Sequence, residues 1–216
     1  LAALLANGGD GIFFDSGSIS NVLIGGVAAS EGNEISGGND GIDLRAVTNI
    51  RIRGNTIARA AARGIWIAGS TTITIGGTAA GEGNSIGGNG ADGIFLGGNA
   101  SGITILGNLI QPITIAGATV ANADPGIWIE RTANVNIGDG TAAGRNLISG
   151  NRGRGVQGST VNSNITVNGN FIGTDASGNA AVAGGQNADA FRQDAIAFDD
   201  PAGSTTSLAI LNNVIG

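Results

Sequence analysis

Residues 64–86 read GIWIAGSTTITIGGTAAGEGNSI, and three short phrases inside them decide the fold. GIWI (64–67), ITI (73–75) and NSI (84–86) each alternate isoleucine with another residue, the period of a strand with one buried face. The three-phrase pattern then recurs along the whole chain. The first phrase returns as GIFF (11–14), GIDL (41–44), GIFL (93–96), GIWI (126–129), GVQG (155–158) and AIAF (195–198). The second returns as VLI (22–24), IRI (50–52), ITI (103–105), VNI (135–137), ITV (165–167) and LAI (208–210). The third is Asn-x-Ile, beginning at Asn33, Asn55, Asn108, Asn146, Asn170 and Asn213. Seven units of three short strands predict an all-β, single-stranded right-handed parallel β-helix with three parallel sheets and one domain over 1–216. From the second phrase to the Asn the gap is three residues in units two, four, six and seven, and nine in the others. That alternation points to duplication of a two-coil unit. The recurring Asn predicts a ladder of side-chain amides along the axis, and the glycine beside it supplies the positive φ of the corner.

Composition agrees. The chain has 41 glycines, is 41% hydrophobic and only 12% charged, so apolar burial is available and disorder is disfavoured. A net charge of −6 disfavours a nucleic-acid partner, and no stretch is long and apolar enough for a membrane-spanning helix. Residues 1–10 are expected to form an N-terminal cap.

The GI-x-I, I-T-I and GN-x-I phrases, with turns such as IGGTAAGEGN and NFIGTDASGNAA, resemble the right-handed parallel β-helix repeat proteins of the pectin-lyase-like superfamily. The phrases are similar to those of large bacterial exported and surface proteins. The resemblance implies a secreted or cell-surface bacterial location. It implies either a non-catalytic, adhesin-like module or a polysaccharide lyase or glycoside hydrolase, and in this family the saccharide cleft lies over the first sheet.

In the first phrase Ile65 and Ile67 must share the buried face, so Trp66 points outward. The same register gives an outward column of Phe13, Asp43, Trp66, Phe95, Trp128, Gln157 and Ala197. Four of the eight aromatic residues fall in it. Two readings stand. Either the rings are covered and serve packing, or they form a strip, bordered by Asp15, Asp43, Arg45 and Glu130, that binds a polysaccharide or another protein surface. The ligand-binding candidates are therefore Phe13, Asp43, Arg45, Trp66, Phe95, Trp128 and Glu130. Long insertions at 111–124 and 173–193 precede the first strand of their coils and are expected to wall or cover this column.

His, Cys, Tyr and Lys are absent, so acid–base catalysis would fall to carboxylates. Asp15, Asp43, Glu130 and Asp199 are the candidates. Asp15 and Asp43 face outward on adjacent coils at about 8 Å, a separation that suits inverting glycosidases. Asp194, Asp199 and Asp200 crowd the last coil and are the candidate metal ligands, with Ca²⁺ as the ion. Asp10, Asp40, Asp92 and Asp194 recur at one corner, where a short carboxylate caps backbone N–H groups. No cofactor is implied by the residues themselves.

Overall fold

The computed structural model describes residues 8–28, 30–115, 117–182, 194–199 and 205–216. Among them none is helical, and three parallel sheets of seven strands wind into a solenoid of seven coils. The first sheet stacks Ile12–Asp15, Ile42–Arg45, Ile65–Ala68, Ile94–Gly97, Ile127–Glu130, Val156–Ser159 and Ile196–Asp199. The second runs from Ser20–Ile24 through Thr71–Gly76 to Thr206–Leu211, and the third from Glu34–Ser36 to Val214–Ile215. Most of the cap expected over 1–10, like the end of the 173–193 insertion, lies outside the described residues.

Burial follows the alternation. Ile42, Ile65, Ile94, Ile127 and Val156 stack inward from the first sheet, Ile50, Ile73, Ile103, Val135 and Ile165 from the second, and Ile57, Ile86, Ile110, Ile148 and Ile172 from the third, all fully buried. Each such side chain stabilises the fold by about 1.5–3 kcal/mol. Like therefore packs on like, one coil above the next.

The Asn ladder runs along one edge of this core. Asn55 donates its amide to Asn84 Oδ1, Asn84 to Asn108, Asn108 to Asn146, Asn146 to Asn170 and Asn170 to Asn213, at 2.9–3.0 Å. Positive φ falls immediately before the Asn at Gly54, Gly107 and Gly169, on short-turn coils. On the long-turn coils it falls instead at the end of the second strand, at Gly25, Gly76 and Gly138. A second ladder, Asn89–Asn122–Asn151, lies at another corner and was not anticipated.

The glycine that opens the first phrase in six of the seven coils has a different cause. A Cβ on Gly93 would lie 2.7 Å from the carbonyl oxygen of Gly126 and 2.9 Å from Ile110 Cγ2. Gly41 and Gly64 meet the same wall, at 2.6 Å. Coils are too close there for any side chain. Gly93→Ala should therefore cost about 1–3 kcal/mol in urea denaturation. Gly17→Ala, whose nearest atom would be 3.7 Å away, should be close to neutral. Equal effects would show that close coil approach does not dictate the glycine.

The 111–124 insertion is not a structureless wall over the first sheet. It folds as an antiparallel hairpin of Ile113–Ile115 and Ala118–Val120. Its residues pack at the third sheet, where Ile113 and Gln111 approach Gly87, Val120 approaches Gly88, and Pro112 approaches Gly150. The described part of 173–193 also turns back locally, with Thr174 bridging Ala181. Among the described residues no helix is long and apolar enough to cross a membrane.

Candidate functional site

Three columns compose the outer face of the first sheet. The register puts Phe13, Asp43, Trp66, Phe95, Trp128, Gln157 and Ala197 side by side, as the alternation dictates. Two residues along the strands lie Asp15, Arg45, Ala68, Gly97, Glu130, Ser159 and Asp199. Three residues before the aromatic column, immediately ahead of each first phrase, lie Asp10, Asp40, Arg63, Asp92, Pro125, Arg154 and Asp194.

The rings touch edge to face. Trp66 and Phe95 have centroids 6.5 Å apart at 80°, and Phe95 and Trp128 are 5.6 Å apart at 68°. Such geometry is the favoured alignment of ring quadrupoles. Phe13 is the exposed member, while Trp66, Phe95 and Trp128 are half-buried. Among the described residues the cover comes from arginines. Arg45 lies over Phe13 at 5.2 Å and over Trp66 at 4.4 Å; Arg63 lies over Trp66 at 4.8 Å and Phe95 at 4.7 Å. Trp128 donates its indole N–H to Ser159 Oγ at 3.1 Å, whereas the indole nitrogen of Trp66 is buried without a partner.

The carboxylates are arranged differently from the expected Asp15–Asp43 pair. Asp43, expected to face outward, is fully buried and gives both oxygens to Arg45, at 3.2 Å from Nε and 2.6 Å from Nη2. Its carboxylate neighbours are Asp10 and Asp40, whose oxygens approach it and one another within 4.8 Å. Asp15 is exposed and stands in register with Arg45. The corner role holds for two of them: Asp10 Oδ1 accepts the N–H of Asp40 at 2.9 Å, and Asp40 Oδ1 that of Arg63 at 2.8 Å.

Burial outweighs these bonds. It raises the carboxyls of Asp40 and Asp43 above the ordinary range, against the pull of Arg63 and Arg45 respectively. Asp92, also buried and repelled by Asp124, is raised to about 7.

Glu130 meets Arg131 at 3.3 Å. Asp194 and Asp199 are bridged by Arg154, at 3.1 Å to Asp194 and in direct contact with Asp199. A guanidinium thus stands where a cation was expected, and Asp200 lies outside the described residues. Asp10, Asp40 and Asp43 bring three carboxylates within 4.8 Å of one another, with Asp43 already engaged by Arg45.

Sequence reasoning missed Arg63, the hub of this face. The signal was positional: Arg63 fills the slot that Asp10, Asp40 and Asp92 fill in other coils.

Residues 4–172 match the family described as right handed beta helix region. Among curated proteins none matches. Of solved structures, the periplasmic alginate epimerase AlgG aligns with 90% of this chain at a TM-score of 0.57 and 14% identity. The Azotobacter vinelandii mannuronan C-5 epimerase AlgE4 A-module aligns with 85% at 0.50 and 14%. The chain spans only 40% of the first and 54% of the second, and at these identities the likeness is one of fold. The period, the three stacked sheets and the match over 4–172 agree: the chain belongs to the right-handed β-helix family.

Proposed function

We propose that the chain is a non-catalytic β-helix module of an exported or surface protein, and that it binds carbohydrate along the outer face of its first sheet. The observation that carries this reading is the in-register run Trp66–Phe95–Trp128, continued across Asp43 to the exposed Phe13. Contiguous rings on an outer face offer apolar surface to the C–H faces of sugars, and such patches mark interaction sites. Arg45, held in place by the buried Asp43, and Glu130 border the rings and supply polar contacts. The structures that share the fold include enzymes named for alginate and mannuronan, which supports an extended polysaccharide as the ligand class. The non-catalytic part is supported by the engagement of Asp43 with Arg45, Glu130 with Arg131 and Asp199 with Arg154.

Affinity electrophoresis in polyuronate and neutral-polysaccharide gels tests it. Trp66→Ala and Trp128→Ala should each weaken retention about tenfold, the loss of roughly 1.4 kcal/mol. Unchanged retention in both variants would leave the rings as packing. The enzymatic reading, a lyase or hydrolase using first-sheet carboxylates, is favoured by the close Asp10–Asp40–Asp43 trio with two raised carboxyls. Release of unsaturated or reducing ends from those polymers, with or without calcium, would establish it over the binding module.

A further inference from the structure

Arg63 sits between two buried carboxylates. Its Nη1 is 3.9 Å from Asp40 Oδ1 on one side and its Nε is 3.6 Å from Asp92 Oδ2 on the other, too long for a hydrogen bond. The Nε is buried and unbonded, and so is Asp92 Oδ1. A buried nitrogen of Arg63 and a buried oxygen of Asp92 thus lie near one another, and neither has a hydrogen-bond partner. Buried polar atoms are normally paired, so a near-miss of this kind calls for an explanation. The guanidinium in question is also the one lying across Trp66 and Phe95.

We propose that Asp92 is a proton-operated latch on Arg63: ionised, it holds the guanidinium over the rings of Trp66 and Phe95; neutral, it releases it and opens the aromatic face as pH falls. Protonation from solvent is the whole of the chemistry, and no bond other than O–H forms. The charged groups that act on Asp92 are Arg63 from the preceding coil, Asp124 from the following coil and Asp40 beyond Arg63. Burial disfavours the ionised form most, both aspartates repel it, and Arg63 and a backbone hydrogen bond favour it, so the balance tips within the neutral range. Asp40 accepts the backbone N–H of Arg63, which keeps the corner in place when the side chain swings away. The latch itself stands on this geometry; only its consequence, control of ligand access, rests on the carbohydrate-binding reading.

Trp128→Phe leaves Trp66 as the single tryptophan, and acrylamide quenching of its emission then reports the cover directly, with no glycan present. In that background the quenching constant should rise about two-fold from about pH 8 to about pH 5.5, because Arg45 still lies over the ring when Arg63 leaves. The midpoint should fall near 7. Adding Asp92→Asn, the isosteric neutral form, should give high quenching at every pH, and adding Arg63→Gln should do the same. A flat profile in the parent, or a transition that survives Asp92→Asn, would overturn the latch. Should Asp92→Asn fail to fold, the parent profile and Arg63→Gln still decide. A titrating Trp66 with glycan retention indifferent to Trp66→Ala would uphold the latch and sink the binding reading; the reverse pair of results would do the opposite.

Discussion

Replacing Asn108 with alanine should destabilise the protein by about 3–5 kcal/mol, among the largest effects of any single polar side chain here. Asn108 is fully buried in the middle of the ladder. Its amide donates to Ile75 O at 2.9 Å, Leu106 O at 3.0 Å and Asn146 Oδ1 at 3.0 Å. Its carbonyl accepts both the backbone N–H and the side-chain amide of Asn84, at 3.0 and 2.9 Å. Alanine removes all five bonds and strands the Asn84 N–H away from water. At a net of about 1 kcal/mol per bond, with a further penalty for the stranded group, the sum reaches that range. Chains of such bonds also polarise one another, which deepens the loss. The comparison is Asn33→Ala at the start of the same ladder. Asn33 is exposed and its side chain only donates to Asn55 Oδ1, so its loss should cost under about 1 kcal/mol. Urea denaturation of the two variants checks the claim. Equal penalties would mean that the ladder is decoration on a fold held by isoleucine alone.

The Asn ladder was legible because one residue type recurs at one position of the repeat. Where identity and position part company, reading fails. Asn89, Asn122 and Asn151 each lie four residues before the glycine of the next first phrase. They form a buried ladder of their own, but only three coils carry it, and the 111–124 insertion breaks the count between the first two. The corner charges fail in a similar way. Searching for aspartate finds Asp10, Asp40, Asp92 and Asp194 and passes over Arg63 and Arg154, which share the slot with the opposite sign. The alternation correctly aims Trp66 outward, yet it is silent on what lies over the ring. Arg45 and Arg63 reach Trp66 diagonally, over distances that long flexible side chains span and that strand register does not encode. Asp43 shows the limit of the outward-means-exposed rule: it points away from the core, and burial comes from its neighbours on the outer face.

The second large effect is a reversal of the usual penalty for altering a buried charged residue. Asp92→Asn should stabilise the protein at pH 8 and destabilise it by about 1–3 kcal/mol near pH 4, where the parent carboxyl is already neutral and only the unpartnered amide counts. In the folded chain burial and the Asp124 charge raise the Asp92 carboxyl to about 7, against an ordinary value of 3.8. Between those values the folded state binds a proton that the unfolded state has lost. Stability therefore falls as pH climbs through this window and levels off above it. A shift of about three units corresponds to about 4 kcal/mol of strain carried at neutral and alkaline pH. Asparagine removes the charge but brings an amide donor into a site that lacks a partner, which returns about 1–3 kcal/mol. The net gain at pH 8 should then be on the order of 2 kcal/mol. Asp40 and Asp43, also raised, tilt both proteins in the same direction and cancel from the comparison. Glu82, Asp139 and Asp175 are lowered, so their contributions are lost only as pH falls below the ordinary carboxylate range and leave the window untouched. Denaturation midpoints measured from about pH 4.5 to 8 should show the variant passing from a deficit to an advantage as pH rises. A gap that is constant across that range would mean that Asp92 stays charged throughout, held by Arg63 more firmly than 3.6 Å suggests.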